Sequence, residues 1–385
     1  MKPTIIQQLD GYDKIVEEIA INKRYGSDFQ AEKGAVKAYI DRLHPDRFQV
    51  KVARVFDETP SSKTFRLVPV NRRVPPFMAG QYVALYLEIG KVRTGRPYSI
   101  SSPPNQTGYY DITVRRVADG LVSNYLLNEI RVGDSLFCSG PAGHFYHNPL
   151  IHHRTMVCIA GGSGITPFMS MIREIDDCNL DREVFLLYGN AGLSDAIFHE
   201  ELTAIAHRSD RIHYFPVIEE TVTDFAGHCG YITADIIREV IQNPEEKSFF
   251  VCGPQGLYDF CLPELSGLGI PERQIRREMY GPPLNIWDQP GWPSEVQPDT
   301  EFSVTVVGGP TFAARAATPL LTSLEKNGAI VPSVCRSGEC SRCRVRILSG
   351  KVYQLPGTPV RFSDRQFGYV HCCASFPLKD LEILI

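Results

Sequence analysis

Apolar residues recur three and four positions apart near the start of the chain: Ile15, Val16 and Ile19, then Val36, Tyr39, Ile40 and Leu43, with charges between them. That spacing gathers side chains on one face of a helix, so residues 1–47 are expected to form a helical extension. The period then changes. From "FQVKVARV" to "HFYHNP", short runs such as "KTFRLVPV", "YVALYLEI" and "YDITVRRV" are separated by Pro and Gly turns, which predicts a small antiparallel β-barrel over 48–152. Over 153–280, the apolar runs "TMVCIAG", "EVFLLYGN", "RIHYFPVI" and "KSFFVCGP" alternate with helical stretches such as "TPFMSMIREI". This is the order of a parallel α/β sheet. A proline-rich segment holding both tryptophans, 281–300, reads as a stiff linker that also packs. Residues 301–385 form the last module, and the chain has no internal repeat or low-complexity tract.

Composition narrows the function classes. At 385 residues the chain is too long for one core and calls for several domains, and its 43% hydrophobic content is that of a globular protein. No run approaches the 18 apolar residues that cross a bilayer, and the opening "MKPTIIQQLD" lacks an apolar leader, so a cytoplasmic location is expected. The net charge of −4 argues against a nucleic-acid partner. Eleven cysteines in a reducing compartment point to metal or redox chemistry and away from a disulfide framework.

Three of those cysteines stand in "VCRSGECSRC". Cys335, Cys340 and Cys343 have the C-x4-C-x2-C spacing of a [2Fe-2S] loop, and "HCCASFP" offers a distant fourth thiolate from Cys372 or Cys373. Structural zinc sites more often use two short Cys pairs. The small residues Ser337, Gly338 and Ser341 let the loop wrap closely, with backbone N–H groups toward the sulfurs. The spacing, the strand "EFSVTV", the helix "LLTSLEKNG" and the ending "CASFPLKDLEI" resemble plant-type [2Fe-2S] ferredoxins. The resemblance implies a β-grasp fold. It also places the last ligand four positions before a proline, which selects Cys373. Cys138, Cys158, Cys178, Cys229 and Cys261 read as packed thiols.

A cluster that carries one electron needs a source, and the barrel offers "RPYSISS" (96–102) followed by "DGLVSNYL" (119–126). Arg96 presents a fixed fork of donors suited to a diphosphate, Tyr98 a flat face for an isoalloxazine, and Ser99 a hydroxyl for a ring nitrogen. Gly120, Ser123 and Asn124 stand at an expected helix start, where backbone N–H groups favour phosphate oxygens. Together the two segments resemble the flavin-binding segments of the ferredoxin-NADP reductase superfamily, over residues 48–280. The resemblance implies FAD in preference to FMN, with Val114 and Arg115 lining the flavin.

"VCIAGGSGITPFMSM" is a strand, a glycine-rich turn and a helix whose turn reads G-x-G-x-x-P through Gly162, Gly164, Thr166 and Pro167. The glycines permit close approach to a pyrophosphate, and Pro167 suits a first helical turn. The same superfamily resemblance covers this turn, "LLYGN" with Gly189 and Asn190, and "VCGPQGLYDF" with Cys252, Gly253 and Pro254 near the nicotinamide. It also makes Glu278 and Tyr280 of "REMYG" candidates to close on the flavin. Tyr98, Ser99, Cys252, Glu278 and Tyr280 are thus the candidate catalytic residues. The strand after "LLYGN" ends at Glu219 and Glu220, whose carboxylates suit ribose hydroxyls and repel a 2′-phosphate, so NADH is expected over NADPH.

The order of modules resembles reductase components that serve oxygenases, which implies electron flow from NADH through FAD and the [2Fe-2S] cluster to a protein acceptor, an oxygenase or another redox enzyme. The alternative is an electron-wiring subunit of a larger complex, with no free-standing turnover. The N-terminal helices either contact another protein or pack on their own barrel. Residues 301–385 hold ten Lys and Arg against six Asp and Glu, a net of +4 that leaves −8 for residues 1–300. Arg336, Arg342, Arg344 and Arg346 lie in or just after the cluster loop. They either dock it on this chain's acidic part or steer an acidic acceptor to it.

Overall fold

The computed structural model describes residues 10–25, 34–220, 225 and 227–385. The chain divides after Asp46 into two compact units. The first holds helices α1 (Tyr12–Tyr25) and α2 (Ala35–Leu43). Their apolar residues Ile15, Val16, Ile19, Val36, Tyr39 and Ile40 are all exposed. The helical reading of 1–9 and 26–33 lies outside the described residues.

The second unit begins with strands β1 (Phe48–Thr59), β2 (Ser62–Pro69), β3 (Tyr82–Ile89), β4 (Val92–Ser99) and β5 (Tyr110–Arg115), helix α3 (Leu121–Glu129) and strand β6 (Ser135–Cys138). The strands form one antiparallel sheet in the order β4-β3-β6-β1-β2-β5. An antiparallel bridge between Ile100 and Ile112 brings the two ends of that order together, giving the expected barrel. Alternation sets the register: Phe48, Val50 and Val52 of β1 point into the core while Gln49 and Lys51 point out.

Strands β7 (Thr155–Gly161), β8 (Glu183–Asn190), β9 (Ile212–Ile218), β10 (His228–Cys229), β11 (Ser248–Cys252) and β12 (Ile275–Glu278) follow, interleaved with α4 (Thr166–Cys178), α5 (His199–Arg208), α6 (Ala234–Val240) and α7 (Gln255–Gly267). They make a parallel sheet in the order β10-β9-β8-β7-β11-β12. Two separate apolar clusters form around it, one with Phe168 and Ile172 of α4 and the other with Ile237 of α6 and Leu265 of α7. Strands β7 and β11 are therefore covered on both sides, which explains their unbroken apolar runs.

The last module comprises β13 (Glu301–Val306), β14 (Thr311–Arg315), α8 (Leu320–Lys326), β15 (Arg344–Ser349), β16 (Val352–Gln354), α9 (Phe362–Gln366), β17 (Tyr369–His371), β18 (Ser375–Pro377) and β19 (Leu381–Leu384). Five of its strands pair as β14-β13-β19-β15-β17, with α8 packed on the same core. The proline-rich stretch before it also packs: Ile286 is buried, and Trp292 lies edge-on to Tyr353 and Phe376. Among the described residues no helix is long and apolar enough to cross a membrane.

Candidate functional site

Where the barrel meets the parallel sheet, three of the expected residues converge. Ser99, the last residue of β4, lies 2.8 Å from the Tyr280 hydroxyl, and the Cys252 thiol donates to that hydroxyl at 3.3 Å. Cys252 ends β11 and pairs with Glu278, which ends β12, because the two strands run parallel and in step. The Tyr258 hydroxyl fixes this corner by donating to the Glu278 carbonyl and accepting from Gly253 N–H at 3.2 Å. Tyr280 as a residue is 40% exposed, while its hydroxyl is engaged with Ser99 and Cys252. Burial pushes the Cys252 thiol up, so it keeps its proton at neutral pH. Burial also raises Tyr280, helped by Cys252 and Glu278. The Glu278 carboxyl is raised well above the usual carboxylate range, first by burial and then by Glu339 and Cys335 of the cluster loop. The corner thus holds protons and avoids charge.

Arg96 and Tyr98 lie on the same strand as Ser99, opposite Leu85 and Val83 of β3. Val114 is buried in β5. Arg115, beside it, reaches across to the parallel sheet, where its guanidinium pairs with Asp195, which also accepts from Ser61 at 2.6 Å. Gly120 precedes α3 as expected, yet Ser123 and Asn124 are engaged within their own neighbourhood. The Ser123 hydroxyl accepts from Val117 N–H at 3.2 Å, and Asn124 accepts from Arg116 at 2.7 Å. These two side chains do not join the corner formed by Ser99, Cys252 and Tyr280.

The glycine turn is packed too closely against its neighbours to admit side chains. A Cβ on Gly164 would lie 2.1 Å from the Cys252 carbonyl oxygen, and one on Gly162 2.5 Å from the Arg115 guanidinium. Gly162 also has φ +51°, and its carbonyl accepts from the Tyr188 hydroxyl at 2.8 Å. Thr166 donates to the Ser163 carbonyl, and Pro167 occupies the first turn of α4, where its missing N–H costs nothing. Gly189 ends up beside Gly161 across β7 and β8, Pro254 stands over Gly161, and the buried Asn190 Oδ1 has no hydrogen-bond partner. An unpaired buried acceptor beside a bare glycine turn and a helix start fits a nucleotide that brings its own donors and phosphates. Glu219 and Glu220 are exposed where β9 ends, and a Cβ on Gly192 would lie 3.1 Å from the Glu220 carboxylate.

The cluster loop is wound by residues with positive φ at Arg336, Gly338 and Ser341. Gly338 has no space for a side chain, since its Cβ would come within 2.9 Å of Thr358. Its carbonyl is bound by His371 Nδ1 at 2.6 Å. Cys340 N–H donates to the Cys335 sulfur at 3.4 Å. Cys335 makes thiol contacts with Cys340 and Cys373, and Cys343 makes them with Cys372 and Cys373. These hydrogen bonds pull Cys335 and Cys343 down and push Cys340 and Cys373 up. Among the described residues no group of His, Cys, Asp or Glu is set to hold a single metal ion. Five thiols in mutual contact, of which Cys335, Cys340, Cys343 and one of Cys372 and Cys373 make four, instead suit a two-iron cluster held by four thiolates. Tyr82 links this loop to the flavin corner: it lies opposite Ser99 on β3, and its buried hydroxyl is raised by burial and then by Cys335.

Tyr82 and Asp195 were not legible as site residues. Tyr82 looks like any apolar strand position, and Asp195 acquires its partner only when the barrel and the parallel sheet meet. No spacing signal marks either.

Family models agree with this division of labour. Residues 49–147 match an oxidoreductase FAD-binding domain, 158–262 an oxidoreductase NAD-binding domain and 305–378 a 2Fe-2S iron-sulfur cluster binding domain. The chain is 29% identical over 356 residues to the glycine betaine monooxygenase reductase subunit of Pseudomonas aeruginosa, covering 88% of this chain and 95% of that protein. It is 28% identical over 344 residues to the NADH oxidoreductase HCR of Escherichia coli, covering 87% and 97%. Phthalate dioxygenase reductase shares the fold, with a TM-score of 0.63 at 23% identity over 88% of this chain and 97% of that one. The chain thus carries FAD-binding, NAD-binding and 2Fe-2S domains in that order, the set of an FAD- and NAD-dependent electron-transfer oxidoreductase, and is similar over most of its length to the reductase subunit of an oxygenase.

Proposed function

We propose that this reductase takes electrons from NADH and delivers them to the oxygenase component of a two-part monooxygenase or dioxygenase. The observation that carries the reading is the corner where Ser99, Cys252 and Tyr280 meet, with the buried Glu278 near enough to feel the charges of Glu339 and Cys335 in the cluster loop. Flavin, nicotinamide and cluster sites share that one corner. A bound flavin would supply hydride acceptance from NADH and one-electron release toward a bound cluster. Arg96 and Tyr98 hold and face the flavin, with Val114, Arg115 and the Gly120–Asn124 turn lining it. Gly162, Gly164, Thr166, Pro167, Gly189, Asn190, Gly253 and Pro254 cradle the nucleotide. Ser99 and Tyr280 exchange a hydrogen bond at the reacting face, and Cys252 stays a neutral donor because burial raises its pKa. Cys335, Cys340, Cys343 and Cys373 hold the cluster. Purified protein with full cofactor loading should reduce cytochrome c with NADH and sustain turnover when an oxygenase partner from the same cells is added. Absence of any protein-acceptor turnover would defeat the reading.

The nucleotide preference rests on Glu219 and Glu220. Two exposed carboxylates near the adenosine ribose repel a phosphate by about 1 kcal/mol each in water and more where solvent is thin. The expected result is a kcat/KM for NADH at least about tenfold above that for NADPH, since 1.4 kcal/mol is a factor of ten. Glu219→Ser with Glu220→Arg should bring the two nucleotides within about threefold of one another by the same arithmetic. A higher kcat/KM for NADPH in the unaltered protein would sink the assignment.

A second reading, the wiring subunit of a larger complex, is favoured by the exposed apolar residues of α1 and α2. Exposed apolar faces of this kind are commonly interaction surfaces. Deleting residues 1–45 should leave NADH-to-ferricyanide turnover unchanged while altering oligomeric state or delivery to the native acceptor. Loss of flavin on deletion would instead make the helices part of the barrel's own core.

A further inference from the structure

One arginine of the cluster loop is turned inward. Arg336, between the ligand candidate Cys335 and Ser337, has φ +60° and a side chain only 10% exposed. Its Nε donates to the Gly95 carbonyl at 2.5 Å, and its Nη2 donates to the Thr94 hydroxyl at 2.9 Å and to the Glu325 carboxylate. Thr94 and Gly95 belong to β4, the strand that continues into Arg96, Tyr98 and Ser99. Glu325 belongs to α8 of the ferredoxin module, is 6% exposed, and accepts from Thr94 at 3.0 Å. Arg96 enters the same knot: its Nη1 donates to the Thr94 hydroxyl and lies 3.9 Å from Glu325. Two guanidinium groups thus face one carboxylate. Burial, then Arg336, lowers Arg96 to about 10.

An excess of one positive charge, with Arg96 30% exposed beside the nearly buried Arg336 and Glu325, is eased when an anion completes it. The diphosphate of a bound flavin is the anion that Arg96 is placed to take, which leaves Glu325 to Arg336 alone. We propose that Arg336 is a positioning residue that clamps the cluster loop onto the flavin-binding strand through Glu325 and Thr94, so that flavin retention and flavin-to-cluster electron transfer depend on the same clamp. The dependence is reciprocal: if bound flavin tightens the clamp, the clamp tightens flavin by the same factor. This rests on the reading that Arg96 holds the flavin and that the cluster takes its electrons from it. On this reading internal docking falls to Arg336, through Gly95 and Thr94 of β4, while Arg344 pairs with Asp364 at 3.1 Å.

The test uses the full chain with both cofactors bound and compares Arg336→Ala, Arg336→Lys, Thr94→Val and Glu325→Gln. Stopped-flow should show flavin bleaching by NADH at the parental rate, and flavin-to-cluster transfer at least about tenfold slower in Arg336→Ala, the equivalent of 1.4 kcal/mol. Arg336→Lys should rescue little, because an ammonium lacks the fork that spans Gly95, Thr94 and Glu325. The flavin dissociation constant, read by fluorescence, should rise in the same order, and amide exchange in residues 92–99 should speed up. Raising KCl to 0.5 M should not slow internal transfer, since the pair is buried. If Arg336→Ala loses its cluster, Thr94→Val and Glu325→Gln carry the test from outside the loop. Unchanged transfer, flavin affinity and exchange in all variants would overturn the clamp. Failure of NADH to bleach flavin in the parent would overturn the functional reading instead, with exchange and flavin affinity still deciding the clamp.

Discussion

Replacing Cys373 by alanine is expected to abolish the cluster's visible absorption and nearly all bound iron, and with them all reduction of one-electron protein acceptors, while NADH still bleaches the flavin. The neighbouring Cys372→Ala should keep both iron and turnover. Both thiols are buried, with 2% and 0% exposure, so accessibility does not choose between them. Contact does. Cys373 touches Cys335 and Cys343, which joins the two halves of the loop, whereas Cys372 touches Cys343 and otherwise faces Arg336 and Glu325. A two-iron cluster loses a ligand it cannot replace when the bridging position is emptied. Removing Cys372 leaves a small void, at a cost of about 1–2 kcal/mol. The barrel itself survives either change because the barrel core and the ferredoxin core are separate clusters of side chains, and assays at saturating flavin offset any loosening of the Arg336 clamp. Iron content and visible spectra of the two variants decide the matter, and the reverse outcome would show that Cys372 is the ligand.

The fold was legible wherever a local period decided it. "FQVKVARV" alternates because β1 has one face in the barrel core, and "KSFFVCGP" does not because β11 is covered on both sides. The cluster loop and the glycine turn were legible for a different reason: few residue types tolerate positive φ or supply thiolates, so chemistry leaves a mark on spacing. What stayed hidden was every contact made when modules meet. Nothing in "LLTSLEKNG" marks Glu325 as the partner of two arginines, and nothing in "LSDAIF" marks Asp195 as the anchor of Arg115. Ser123 and Asn124 illustrate the converse, since they lie in a recognisable flavin segment while their side chains bond within their own neighbourhood. The charge imbalance between the two parts of the chain left the role of the loop arginines open, and the geometry turns one of them, Arg336, onto the neutral Gly95 carbonyl and Thr94 hydroxyl of the barrel, with its carboxylate partner Glu325 in its own module.

Gly164→Ala is expected to lower kcat/KM for NADH by at least about a hundredfold, or 2.7 kcal/mol, while dithionite still reduces flavin and cluster. The added methyl would sit 2.1 Å from the Cys252 carbonyl oxygen, 2.5 Å from its carbonyl carbon and 2.7 Å from Gly253 Cα. These are backbone atoms at the end of β11, held in register by β7 on one side and β12 on the other. No rotamer relieves the clash, so α4 and the end of β11 must part. That movement carries Cys252 away from Tyr280, to which its thiol is bonded at 3.3 Å, and so opens the corner proposed for hydride transfer. Overpacking of this kind also costs about 1–3 kcal/mol of stability, which in a domain of this size lowers Tm by several degrees. Gly256→Ala is the control, because no atom lies within 4 Å of a Cβ there and α7 gains a better helix former. The decisive measurement is NADH-driven flavin reduction in both variants after confirming equal flavin and iron content. Parental rates in Gly164→Ala would mean that the turn does not seat the nucleotide, and the assignment of the nicotinamide site would fail with it.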